Sequence, residues 1–158
     1  MTDWYGIFLR MMPTVFGSVR TLGFLPAFAA QVQAPVTIAA AATVLWLLYR
    51  EPEPLRRAFA VTCGTFLVTP YAFNYDMGAL CVTAALLAGA DPVAAGRLRL
   101  LPIALVAASA AAVMNLGRAN LPLTPLILAA GLGALVVAAR RVSVLPAREM
   151  PVSEPTRS

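Results

Sequence analysis

The hydrophobic positions of this chain are gathered into long blocks, and its polar positions into short segments between them. At 1.5 Å of rise per residue, about 20 apolar residues in a helix cross a hydrocarbon core roughly 30 Å thick. The first block, Leu25–Leu48, meets that length. Gln31, Gln33 and Pro35 interrupt it, and Trp46 and Tyr49 mark its far end at the depth where aromatic side chains gather. The two Gln read as helix–helix hydrogen-bonding groups. The next apolar stretch, Ala58–Ala90, is too long for one ordinary span. Thr69-Pro-Tyr-Ala-Phe-Asn-Tyr-Asp76 breaks it, which predicts two short spans, Ala58–Phe73 and Asp76–Ala90. Their tip is then expected at the membrane surface or dipping into it. Two further spans are expected at Leu100–Leu116 and Leu126–Ala139.

The polar segments fit between these blocks. Arg50–Arg57, Asp91–Arg99 and Gly117–Pro125 read as loops. Met12–Gly23 reads as a short amphipathic helix lying along the interface, with Pro13 in its first turn, Gly23 at its end, and Met11, Met12 and Phe16 on its apolar face. Residues 142–158 carry Pro146, Pro151 and Pro155 and are expected to be a disordered tail. The pattern predicts an all-α, polytopic helical membrane protein of about five spans. Residues 1–23 form an outer-face interfacial segment, 24–141 the transmembrane bundle and 142–158 the cytoplasmic tail.

Composition points the same way. The chain has 158 residues, 60% of them hydrophobic and 12% charged. Soluble domains average about 25% charged residues. A soluble domain of this size could not hide so much apolar surface from water, which argues against a soluble enzyme. All basic residues are Arg and none is Lys, which reads as codon bias from a GC-rich bacterial genome. The net charge of +5 is spread over separate short loops, so no nucleic-acid partner is expected. With no His, and only Cys63 and Cys81 as thiols, a zinc site is excluded in its His-containing forms and no metal or cofactor is expected. The two Cys read as small buried hydrophobes, with a disulfide across the hairpin as the alternative. Met1–Tyr5 carry no positive charge, and the first apolar block exceeds the roughly 7–15 residues of a signal-peptide core. That block is therefore expected to remain as a spanning helix.

The Arg residues orient the bundle. Arg50, Arg56, Arg57, Arg97, Arg99, Arg140, Arg141 and Arg148 fall on one set of alternate loops. Only Arg10, Arg20 and Arg118 fall on the other. The positive-inside rule then predicts a multi-pass protein of the bacterial inner membrane with a cytoplasmic C-terminus. The tip carrying Asp76 faces outward.

Chemistry concentrates at that tip. Tyr71, Asn74, Tyr75 and Asp76 stand in the middle of a hydrophobic hairpin, where ionisable groups are costly and mark candidate sites. Pro70 breaks the helical ladder and can aim them into a cavity. The alternative is a polar hairpin turn flanked by interfacial Tyr side chains. Arg20 and Arg118 are the outer-face guanidinium groups nearest the spans, suited to a lipid phosphate or to anchoring at ordinary headgroups.

Met12-Pro-Thr-Val-Phe-Gly17 with Arg20 and Leu22-Gly23, followed by Thr69-Pro-Tyr71 and Tyr75-Asp76, resembles the membrane mannosyltransferases of glycosyltransferase family 87. The resemblance covers roughly residues 4–90. It implies a partial bundle like that of GT-C enzymes, a polyprenyl-phosphate sugar donor, usually of mannose, and a glycan or lipid acceptor at the outer face. Tyr71, Tyr75 and Asp76 would line the sugar cavity. The family's catalytic acid belongs to a first outer loop that this sequence does not contain. The chain thus resembles the C-terminal portion of such an enzyme, with an N-terminal half to be supplied. The competing classes are a small transporter or flippase-like subunit, for which a second broken helix would be expected, and a non-catalytic membrane assembly subunit.

Overall fold

The computed structural model describes residues 9, 12–90, 107 and 123–142. The described chain is all-α. Its helices are α1 (Val15–Thr21), α2 (Pro26–Arg50), α3 (Pro54–Val68), α4 (Gly78–Ala90) and α5 (Leu123–Val142), with a 3-10 turn at Asn74–Met77 between α3 and α4. α3 is the hub, packing on α2, α4 and α5, while α1 rests on α2.

α1 is shorter than the sequence pattern suggests. Thr14 is its N-cap, with the side-chain oxygen accepting from the Gly17 N–H. Thr is a favoured N-cap because its hydroxyl satisfies one of the first turn's orphan donors. Pro13 therefore stands before the cap rather than in the first turn. At the other end Gly23 adopts φ +94°, a left-handed conformation that other residues rarely tolerate, and the chain turns there into α2. Phe16, Gly17 and Ser18 are buried.

α2 runs unbroken through Pro35 for 25 residues. Only 17% of its most apolar window is buried, and Leu25, Ile38, Leu45 and Tyr49 are each more than 60% exposed. Pro54 starts α3 in the first helical position, where its missing N–H costs nothing. The helix ends at Val68, five residues earlier than the hydropathy pattern predicts. The cause is Pro70, which has no N–H for the helix and forces Thr69 into an extended conformation, φ −85° and ψ 123°.

Two helices, α2 and the Leu123–Arg140 part of α5, are long and apolar enough to cross a membrane. α3 has 15 residues and α4 has 13, both short of that length. Apart from Ala107, the span expected at Leu100–Leu116 lies outside the described residues, as does the expected tail 142–158 apart from Val142, which closes α5 instead. Among the described residues the core is built by Leu47, Phe59, Ala60, Cys63, Phe66 and Leu67 from α2 and α3, with Leu80 and Ala84 from α4 and Leu128, Leu132 and Leu135 from α5. Cys63 is buried in that core and Cys81 is exposed on α4; both are free thiols, so the disulfide alternative is set aside.

The α2–α3 corner differs from a simple polar loop. Glu51 is only 4% exposed. Its Oε1 lies 3.6 Å from Arg56 Nη1 and accepts the Glu53 N–H at 3.3 Å. The carboxylate thus fixes the corner from inside, with one partner, Glu53, in the short connection and the other, Arg56, in the first turn of α3.

Candidate functional site

The polar break between α3 and α4 carries most of the side chains that could do chemistry. A helix that ends at Val68 leaves its last carbonyls without helical donors. Thr69 N–H returns to the Thr65 carbonyl at 2.9 Å, but Pro70 has nothing to give to the next one. Away from water such groups must find partners within the protein. Gln33 and Thr37, on the facing side of α2, supply them. Gln33 Nε2 donates to the Leu67 carbonyl at 2.7 Å and lies 3.4 Å from the Val68 carbonyl. Thr37 Oγ1 donates to the Val68 carbonyl at 3.0 Å.

The same carboxamide also serves α1. Gln33 Oε1 accepts the Phe16 N–H at 2.9 Å, one of the orphan donors of that helix's first turn. Thr14, besides capping α1, donates its hydroxyl to the Pro70 carbonyl at 2.9 Å. One amide therefore joins the start of α1 to the end of α3, and one hydroxyl ties the same two places together. Gln33 is 5% exposed and Thr14 is 0% exposed, so these bonds form in a dry setting where they cannot be exchanged for water.

This hub fixes the chain that follows it. Tyr71 is held against Phe16 with ring centroids 5.2 Å apart and the planes tilted by 59°, yet it remains 62% exposed. Tyr71 thus presents one face to the protein and the rest outward. Asp76 is exposed and turns back on its own segment, its Oδ2 accepting the Phe73 N–H at 2.9 Å. This is the reach-back of an acidic residue in the first turn to the residue that caps it. The second carboxylate oxygen carries no hydrogen bond among the described residues.

Compared with protein-family models, curated proteins and solved structures, the chain matches none.

Of the side chains singled out in the sequence, Tyr71 and Asp76 are displayed on the same short segment. The backbone of Asn74 and Tyr75 forms the 3-10 turn between them, and those two side chains lie outside the described residues. Arg20 lies one helical turn beyond Phe16, at the same end of the bundle as Tyr71. Its guanidinium donates to the Phe24 carbonyl across the Gly23 turn rather than reaching Asp76. It stands at the C-terminal end of α1, where a cation suits the helix dipole. Beside it, Leu22, Phe24, Leu25 and Phe28 form an exposed apolar surface, and α2 begins without a side-chain cap. Arg118 lies outside the described residues.

Thr14 and Thr37 escaped the sequence reading. Thr14 had a legible signal, a Thr directly before the apolar run of α1. Thr37 had none, because its partner is on another helix 31 residues away. Among the described residues no group of three or more His, Cys, Asp or Glu side chains gathers as metal ligands do.

Proposed function

We propose that this chain is embedded in the bacterial inner membrane and forms the C-terminal membrane part of a polyprenyl-phosphate-sugar-dependent glycosyltransferase. The observation that carries the reading is the polar break at Thr69–Met77. It sits between apolar helices, is braced by Gln33 and Thr14, and leaves Tyr71 and Asp76 exposed on one segment. Exposed Tyr faces and free carboxylate oxygens are groups that hold sugar hydroxyls. Arg20, at the same end of the bundle and beside apolar Phe24 and Phe28, suits the phosphate of an isoprenoid carrier. Arg118 is assigned the same role.

In this reading mannose passes to a glycan or lipid acceptor at the outer face. Tyr71, Asn74, Tyr75 and Asp76 hold the sugar, and the catalytic carboxylate comes from a separate N-terminal half. The membrane assignment is supported by α2 and the Leu123–Arg140 part of α5, each long and apolar enough to cross a membrane. Membranes from cells with and without the chain provide the test, using radiolabelled polyprenyl-phosphate mannose. Transfer to acceptor is expected only where the chain is present, and equal transfer in both would overturn the assignment.

A second reading, a non-catalytic membrane assembly subunit, is favoured by one observation. Asp76 already has a structural duty, the bond to the Phe73 N–H, which a turn requires whether or not chemistry follows.

A further inference from the structure

We draw no further inference here: the strongest candidate, the buried Glu51 carboxylate at the α2–α3 corner, meets Arg56 and the Glu53 N–H through Oε1 and leaves Oε2 buried without a hydrogen-bond partner, but nothing among the described residues shows which donor or ion that oxygen would take, so it carries no site.

Discussion

Gln33 Nε2 donates to the Leu67 carbonyl at 2.7 Å, joining the second helix of the described chain to the place where the third one stops. The bond exists because Pro70 cannot continue the helix and the carbonyls before it need donors. Replacing Gln33 with Leu keeps the volume and removes both ends of the amide. The Leu67 carbonyl and the Phe16 N–H are then left buried and unpaired. Each such group costs about 1–3 kcal/mol, with the lower end expected where lipid rather than water is the surroundings. Gln33→Leu is therefore expected to destabilise the fold by about 2 kcal/mol, measured by reversible unfolding in mixed micelles. Gln31→Leu, which removes no bond within the described chain, should leave monomer stability unchanged in the same assay.

The close approach of α2 and α3 gives a second prediction. A Cβ built on Gly64 would collide with a Val44 methyl group, whose short branched side chain has little freedom to move aside. Gly64→Ala should push the two helices apart at a cost of about 1–3 kcal/mol, typical of overpacking. Val44→Ala in the same chain should recover most of the loss. The double-mutant cycle measures this directly, and additive losses would show that the contact is not the cause.

How much of this was legible in the sequence depends on the range of the interaction. Pro70 announced the break between α3 and α4, because its effects on the ladder and on Thr69 are local. Its position was still misjudged, since hydropathy carries the apolar pattern on through Tyr71-Ala-Phe73 while the backbone rule stops the helix at Val68. Pro35 looks the same in sequence yet leaves α2 intact, because tertiary packing on α3 outweighs one lost helical bond. Gln31 and Gln33 were also alike on paper, and only the fold separates the buried bridge from the exposed amide. At the candidate site, Tyr71 and Asp76 stood out by composition. The Thr14–Pro70 bond could not be read, because 56 residues separate its ends.

Orientation is open to a simple experiment. The excess of Arg at the helix ends and connections holding Arg50, Arg56, Arg57, Arg140 and Arg141 predicts a cytoplasmic C-terminus. A reporter that is active only in the periplasm, fused after Ser158, should be silent. Strong activity would reverse the bundle and move Tyr71 and Asp76 to the cytoplasmic side, where the proposed outer-face chemistry could not occur.

Asp76 carries the final prediction, and its geometry makes the test sharper than its sequence position does. The carboxylate accepts the Phe73 N–H through one oxygen, while the other has no partner among the described residues. Asn keeps an acceptor oxygen of similar reach, so Asp76→Asn preserves the turn and removes only the charge. Asp76→Ala removes the bond as well, and should cost about 0.5–1 kcal/mol of stability, the lower part of the range for a lost helix cap. If Asp76 holds sugar, Asp76→Asn should reduce transfer in membranes at least ten-fold without lowering the amount of inserted protein. Ten-fold corresponds to about 1.4 kcal/mol of transition-state stabilisation, a reasonable size for one charged hydrogen bond. Transfer rates should be normalised to protein level and compared across wild type, Asp76→Asn and Arg97→Gln, the last as a control at a position assigned only to topology by the sequence pattern. Rates for Asp76→Asn equal to wild type, with Asp76→Ala impaired only through stability, would make Asp76 a turn residue. The assembly-subunit reading would then be the better account of the hairpin.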